Sequence, residues 1–182
     1  MANKILVAIA NGSEELESIA IIDVLRRASL DVVVASVEST KRVVMSKSVP
    51  ITADHLLADV SNDDYDAIVL PGGMPGAENL SNCSLLINML KQQKESGKWI
   101  CAICASPAVV FQTHGLIDDV KATAYPGFQK KLSNPVSSEK VVVDKNVITS
   151  QGPGTAIDFA LEIVHQIAGS SVMKSVKKGL LL

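Results

Sequence analysis

Apolar runs alternate along the chain with stretches of helical periodicity. Residues 4–10, which are apolar from Ile5 to Ala10, predict a buried strand, and residues 31–37 predict a second. Residues 14–29 lie between them and predict a helix, because acidic residues begin the stretch and apolar residues recur at helical spacing: Leu16, Ile19, Ala20 and Val24. A βαβ unit of this length is typical of parallel sheets. The pattern therefore predicts a doubly wound α/β fold, with a mostly parallel sheet between helices.

The rest of the chain continues this alternation. It predicts further strands at 66–70, 99–103 and 121–124, hairpins from 42–45 with 49–52 and from 140–143 with 147–150, and helices at 84–96, 106–113 and 155–168. Repeats, low-complexity tracts and linkers are absent from the sequence. We therefore expect one domain over residues 1–182.

Composition narrows the classes of partner. Hydrophobic residues make up 47% of the chain but aromatic residues only 3%, so aliphatic side chains must fill the core. A net charge of −2 provides no basic field for nucleic acid or an anionic membrane, and the longest early apolar run is too short for a signal peptide or a membrane span. Three cysteines are too few for a disulfide framework. We expect a cytoplasmic protein without nucleic-acid or membrane partners.

Four segments rich in glycine, proline or polar residues fall where predicted strands end. They are residues 11–14, 71–74, 104–106 and 151–155. Open α/β sheets bind ligands beyond the carboxyl ends of their strands, where the strand order reverses. We therefore expect these segments to line one crevice.

Cys104 is the candidate nucleophile of that crevice. It follows an apolar strand and directly precedes the helix-starting residues Ser106 and Pro107. A helix N-terminus favours a thiolate over a thiol, and the N–H of Ala105 is then placed to stabilise an oxyanion. A buried, inert cysteine is the alternative, and position alone leaves both open. The convergence of the four segments favours a functional Cys104.

Cys101 and Cys104 also form a C-x-x-C pattern. On an extended strand they lie about 10 Å apart and on opposite faces, which is too far for a disulfide. A redox pair is therefore disfavoured. The sequence offers no further ligands at zinc-site spacing, so we expect no metal.

Three glutamates, Glu14, Glu15 and Glu17, occupy the start of the first predicted helix. Acidic residues stabilise a helix N-terminus, which explains them without any chemistry. A carboxyl group facing the crevice would instead be desolvated, its pKa would rise, and it would hydrogen-bond to a thiolate as the neutral acid. Periodicity does not choose among the three.

Four motifs together resemble the ThiJ/PfpI superfamily, and specifically its Parkinson-associated deglycase branch, called DJ-one. They are Glu14-Glu-Leu-Glu17, Val69-Leu-Pro-Gly-Gly73, Ala102-Ile-Cys104-Ala-Ser-Pro107 and Thr149-Ser-Gln-Gly-Pro-Gly-Thr155. The motifs have the family's order and spacing, and the similarity runs from Ile5 to the C-terminus.

The resemblance implies a flavodoxin-like sandwich, a homodimer and a reactive Cys104 on a nucleophile elbow. It also implies a protonated Glu17 beside the sulfur and an oxyanion site formed by the N–H groups of Gly73 and Ala105. Members of this branch are described as cofactor-independent glyoxalases and deglycases that act on small reactive aldehydes such as methylglyoxal and on their adducts. They are also described as redox-responsive stress proteins or chaperones, and this alternative stays open.

Three positions bear on this resemblance. Many members have histidine where this chain has Tyr125, which donates a hydrogen bond but accepts protons poorly at neutral pH. Relatives often have arginine at the position of Gln151, so a local cation is missing. Ala105 stands where the protease branch has a histidine, and proteolysis is therefore disfavoured.

Overall fold

A central sheet organises the molecule, which a computed structural model describes over residues 3–182. Seven strands form this sheet in the order β5-β2-β1-β6-β7-β9-β8, and all neighbours are parallel except β8 and β9. The strands of the sheet are β1 Lys4–Ile9, β2 Asp31–Ser36, β5 His55–Leu56, β6 Ala67–Leu70, β7 Trp99–Ile103, β8 Val141–Asp144 and β9 Val147–Ser150. The predicted doubly wound α/β fold is confirmed.

Helices cover both faces of the sheet. They are α1 Glu15–Arg27, α2 Leu57–Val60, α3 Gly76–Asn82, α4 Ser84–Glu95, α5 Ala156–Ala168 and α6 Ser170–Gly179. A π-helix spans Pro107–Gln112, and single 3₁₀ turns lie at Gln129–Lys131 and Pro153–Thr155. The remaining strands, β3 Arg42–Val44 and β4 Pro50–Thr52, form the predicted antiparallel hairpin.

Alternate residues of β1 enter two separate hydrophobic clusters. Leu6 and Ala8 belong to one cluster, whereas Ile5, Val7 and Ile9 belong to the other. A strand buried on both faces in this way reads as a continuous apolar run, as residues 5–10 do. The sheet is therefore the middle layer of three.

Two predictions about local structure are wrong. Residues 121–124 form no strand, because Ala122 makes only an isolated bridge to Pro135 and the Thr123 N–H donates to the Thr149 hydroxyl at 2.9 Å. In α1, Leu16 and Ile19 were expected to face the core, but they are 57% and 50% exposed. The helix predicted at 106–113 is present as the π-helix, while β5, α2, α3 and α6 were not predicted.

The order in which strands are added to the sheet reverses between β1 and β6. After β1 it adds β2 and β5 on one side, then returns to place β6 and β7 on the other. The carboxyl ends of β1, β6 and β7 therefore meet at the switch point, where doubly wound folds bind ligands. Among residues 3–182, no helix has the length and apolar character to cross a membrane.

Candidate active site

The turn from β7 into the π-helix, residues 103–107, forms the elbow that carries Cys104. The φ angle of Cys104 is 65°, in the left-handed region that costs a non-glycine residue about 1–2 kcal/mol. Neighbouring segments hold this conformation, since the Cys104 N–H donates to the Ser150 carbonyl at 3.0 Å and the Tyr125 N–H donates to the Cys104 carbonyl at 2.7 Å. The predicted strand-to-helix turn is present, and its strained residue is the candidate nucleophile.

Two glycines bring the end of β6 against this elbow. A Cβ at Gly72 would lie 2.5 Å from the Cβ of Cys104. A Cβ at Gly73, whose φ is 85°, would lie 2.6 Å from the Glu14 nitrogen. The loop formed by residues 71–73 therefore packs between the elbow and the start of α1 because it lacks side chains at these two positions.

The three glutamates at the start of α1 have different environments. The Glu14 carboxylate accepts the Glu17 N–H at 2.7 Å and caps the helix. Glu15 turns toward the β3–β4 hairpin, where it accepts from the Ser46 hydroxyl at 2.7 Å and the Lys47 N–H at 2.6 Å. Glu17 is fully buried, and its Oε2 accepts the Gly72 N–H at 2.7 Å. Of the three, Glu17 is therefore the one that reaches the crevice.

Burial dominates the electrostatics of Glu17. It raises the pKa of this carboxyl to about 7, against the lowering effects of the Gly72 N–H and the Cys104 side chain, and the charge of Glu14 adds a smaller upward effect. Glu17 Oε1 has no hydrogen-bond partner within the described part of the chain. A buried carboxylate oxygen without a donor is costly, whereas a protonated oxygen becomes a donor itself.

Cys104 shares this desolvated environment. Burial raises the pKa of its thiol, the neighbouring Glu17 carboxylate raises it further, and the N–H groups of Gly73 and Ala105 lower it. The expectation that the helix N-terminus alone favours a thiolate is therefore wrong for the site with Glu17 ionised. The thiol and the carboxyl behave as one coupled pair that releases its two protons in separate steps.

Comparison with known proteins places this geometry in a family. The DJ-1/PfpI family matches residues 3–166. The chain belongs to the DJ-1/PfpI family. It is 52% identical to Protein DJ-1 homolog B of Arabidopsis thaliana over 91% of this chain, and 39% identical to Glutathione-independent glyoxalase DJR-1.2 of Caenorhabditis elegans over 93% of this chain and 91% of that protein. The solved structure of oxidized Toxoplasma gondii DJ-1 superposes with a TM-score of 0.96 at 47% identity, covering 99% of this chain and 98% of that one.

These relatives differ in length. The chain spans only 38% of Arabidopsis DJ-1 homolog B and 46% of DJ-1 homolog A from the same organism. The similarity therefore extends over nearly the whole of this chain but over less than half of those two relatives. Membership of the DJ-1 branch and its flavodoxin-like fold are established by these matches together.

Tyr125 and Gln151 are the two positions at which the family resemblance led us to expect departures from many relatives. The Tyr125 side chain is 47% exposed, and its ring lies beside Gly152, where an added Cβ would approach the ring to 3.3 Å. Because its backbone N–H bonds Cys104, Tyr125 lies at the rim of the elbow. The Gln151 amide donates to the Ser137 carbonyl at 3.0 Å and holds a neighbouring loop.

The other two cysteines have different surroundings. Cys101 is fully buried, and burial raises the pKa of its thiol. Cys83 is partly buried against the hydrophobic cluster that contains Leu6 and Ala8. Cys101 and Cys104 contact the same cluster, so the prediction that they lie on opposite faces is wrong: the positive φ at Cys104 interrupts the alternation of the strand. All three cysteines are free.

Sequence reasoning missed two residues that shape this site. Gly72 supplies the N–H that holds Glu17, and Ser106 donates its hydroxyl to the Pro71 carbonyl at 2.5 Å. The paired glycines after β6 were a signal for close backbone approach, but the sequence did not show which of their N–H groups meets a carboxyl. Within residues 3–182, no group of three or more His, Cys, Asp or Glu side chains is arranged to hold a metal.

Proposed function

We propose that this protein is a cofactor-independent glyoxalase and deglycase that converts methylglyoxal to lactate and removes early glyoxal adducts from thiols and amines. The observation that carries the proposal is the fully buried Glu17 carboxyl, which accepts the Gly72 N–H at 2.7 Å where the loop after β6 packs against Cys104, and whose pKa burial raises to about 7. An acid–base group is most effective when its pKa lies close to the working pH. The name of the Caenorhabditis elegans relative supports the same reaction class.

The first step in this proposal is attack on the aldehyde. Glu17 and Cys104 together lose one proton near neutral pH, and the tautomer with a thiolate and a neutral Glu17 is the reactive one. The sulfur bonds to the aldehyde carbon of methylglyoxal, and the carbonyl electron pair moves to oxygen. The N–H groups of Gly73 and Ala105, which already act on the sulfur, stabilise that oxyanion.

Glu17 then moves the proton between carbons. After its own proton has passed to the oxyanion, the Glu17 carboxylate removes the hydrogen from the former aldehyde carbon as a proton, and the electron pair of that C–H bond moves onto the adjacent carbonyl to give an enediolate. The hydroxyl proton passes from the first oxygen to the second. Return of that proton to the adjacent carbon produces a lactoyl thioester on Cys104. Water cleaves this thioester, so one methylglyoxal and one water become one lactate and the free thiol. None of these steps requires a metal or a nucleotide.

Tyr125 has a substrate-binding role in this account. Its ring and hydroxyl are exposed at the rim, and its N–H is anchored on Cys104. The hydroxyl can donate to the second carbonyl of an α-oxoaldehyde, but it is a poor acceptor at neutral pH. Proton transfer therefore falls on Glu17.

A redox-responsive protective protein is the second candidate function. It uses the same Cys104, with oxidation of the sulfur as the signal and aldehyde chemistry as a side reaction. The match to a Toxoplasma gondii structure described as oxidized DJ-1 favours keeping this alternative. In either role the proposed location is the cytoplasm, where free thiols stay reduced.

We also propose that the protein works as a homodimer. An apolar groove of about 630 Å³ runs between α1 and the start of α5, and its walls include Leu16, Ile19, Ala20, Pro153, Ile157 and Leu182. Leu16 and Ile19 are the residues that α1 turns away from its own core. A second copy that buries this face would explain their exposure.

Steady-state kinetics of the metal-stripped protein with methylglyoxal separates the two functions. Many lactate molecules formed per protein support the enzyme. One stoichiometric adduct on Cys104 without further product contradicts it and supports the sensor. Amine-free buffer is required, because amines react with methylglyoxal themselves.

A further inference from the structure

Ser106 lies in the elbow, two residues after Cys104, and is fully buried, yet its hydroxyl does not cap the π-helix that starts beside it. The hydroxyl instead crosses to the end of β6 and donates to the Pro71 carbonyl at 2.5 Å. Buried hydroxyl groups are normally satisfied by nearby backbone, so the partner that this one selects is informative.

The Pro71 carbonyl and the Gly72 N–H belong to the same peptide unit. The Gly72 N–H donates to Glu17 Oε2 at 2.7 Å. A continuous hydrogen-bond chain therefore runs from the Ser106 hydroxyl through one peptide unit to the Glu17 carboxyl. Donation to the carbonyl end of a peptide polarises its N–H and strengthens the next bond in the chain.

We propose that Ser106 is a positioning residue for Glu17: its hydroxyl fixes and polarises the Pro71–Gly72 peptide so that the Gly72 N–H stays directed at the carboxylate. The kinetic consequence of this inference rests on the proposed function, because it assumes that Glu17 carries the proton. The hydrogen-bond chain itself does not depend on any substrate.

The hydrogen-bond chain from Ser106 opposes the effect of burial on the pKa of Glu17. Burial favours the neutral acid, whereas the Gly72 N–H stabilises the carboxylate. The titratable side chains that act on Glu17 are Cys104 from the elbow and Glu14 from its own helix, and the loop after β6 contributes the backbone N–H of Gly72. Loss of the Ser106 hydroxyl weakens this N–H donor, so the pKa of Glu17 rises further above about 7.

The pH dependence of Cys104 alkylation by iodoacetamide, followed by intact-protein mass, reports this change without any turnover. The alkylation rate rises as the pair loses its first proton, because a fixed fraction of the singly protonated pair is then thiolate. We expect Ser106→Ala to move that inflection upward by about half a pH unit. Ser106→Thr keeps the hydroxyl and restores the parent value, whereas Glu17→Gln leaves only the titration of the Cys104 thiol, so its inflection differs from that of the parent and assigns the parent inflection to the pair.

Ser81→Ala is the matched control, since the Ser81 hydroxyl also donates to a carbonyl, that of Val109 at 2.9 Å, but outside the Glu17 chain. Its inflection should equal that of the parent. Ser106→Gly also lacks the hydroxyl and must behave as Ser106→Ala does, which covers the case in which one variant fails to fold. A folded Ser106→Ala or Ser106→Gly protein with an unshifted or lowered inflection overturns the proposal, as does an equal shift in Ser81→Ala.

Methylglyoxal kinetics on the same proteins separates this inference from the proposed function. We expect kcat near neutral pH to fall about two- to three-fold in Ser106→Ala, as a shift of about half a pH unit implies, with little change in KM. If the inflection shifts in Ser106→Ala but the parent protein turns over no aldehyde, the role of Ser106 is supported and the proposed enzyme activity is contradicted. Normal turnover with an unshifted inflection does the reverse.

Discussion

Two adjacent residues on α1, Leu16 and Glu17, lie in environments opposite to those that their side chains favour. Leu16 is 57% exposed, whereas Glu17 is 0% exposed. Exposure of Leu16 costs free energy because its apolar surface contacts water, and burial of Glu17 costs free energy because its carboxyl group loses its hydration. Departures of this kind from the inside–outside rule are concentrated where a protein binds or reacts. Glu17 lies on the side of α1 that faces the candidate site, and Leu16 lies on the side that we propose is a partner surface.

The two sides are compensated to different degrees. Glu17 has one donor, the Gly72 N–H, and an oxygen without a hydrogen-bond partner in the described chain. Leu16 and Ile19 line an open groove. A proton would complete the interactions of Glu17, whereas the proposed second copy would cover Leu16 and Ile19.

Glu17→Gln changes the buried side of α1 and has the largest expected effect of the substitutions on this helix. An amide keeps the shape of the side chain but carries no titrating proton, so kcat for methylglyoxal should fall by about 10²–10⁴-fold. Cys104 should still form an adduct. Steady-state lactate formation, with mass spectrometry of Cys104, measures both.

Glu14→Gln and Glu15→Gln are the matched controls, since both residues occupy the same helix start outside the buried position. Each should cost about 0.3–1 kcal/mol at most, through the helix dipole. Equal loss of turnover in all three variants would mean that the acidic cluster acts only by its charge.

The pH dependence of stability sharpens the same contrast. Folding raises the pKa of Glu17 from an ordinary 4.5 to about 7, so its favourable contribution is complete below pH 4.5 and is lost as pH rises through 7. Compared with Glu17→Gln, the parent should lose about 3 kcal/mol of unfolding free energy between pH 4.5 and 8. Urea unfolding at each pH measures the difference, and a constant difference contradicts the raised pKa.

Charged substitutions on the exposed side of α1 test the proposed dimer surface. The double variant Leu16→Glu with Ile19→Glu should remain folded but dissociate, because it places like charges on an apolar face that we propose is buried against its copy. Sedimentation should show a dimer for the parent and the 19.2 kDa chain mass for the variant. Val143→Glu, an exposed apolar position on β8, is the control. A parent that sediments as a monomer at micromolar concentration contradicts the dimer.

Peroxide provides a smaller, site-selective test. Cys104 should oxidise before Cys83 and Cys101, and its product should accumulate as sulfinate. Cys101 does not act as a resolving partner, because it is fully buried and burial raises the pKa of its thiol. Peptide mass spectrometry after graded peroxide distinguishes the products, and a dominant Cys101–Cys104 disulfide contradicts this assignment.

Local patterns predicted the sheet and the elbow because both are encoded in short segments. Residues 5–10 and 99–103 are continuous apolar runs, and Ser106 and Pro107 come two and three residues after Cys104. The rotation of α1 was not encoded in this way. Helical spacing favoured Leu16 and Ile19 as core residues, whereas tertiary packing turns Glu17 inward instead.

The missing strand at 121–124 has a similar cause. The segment has strand-like composition, but its pairing ends after one bridge. Ala122 bonds the backbone of Asn134 and Val136, and the next N–H, that of Thr123, donates to the Thr149 side chain instead of a neighbouring strand. Choosing Glu17 among three glutamates likewise required the family resemblance, because the distinguishing contact comes from Gly72 in a distant part of the chain.

Methylglyoxal turnover by metal-stripped cysteine variants tests the central claim most directly. Cys104 is the sulfur on the elbow, coupled to Glu17 and to the N–H groups of Gly73 and Ala105. Lactate formation should be lost in Cys104→Ser, whereas Cys83→Ser and Cys101→Ser should keep most of the parent rate, because those sulfurs lie outside the elbow. A Cys104→Ser protein that forms lactate at close to the parent rate would contradict the account.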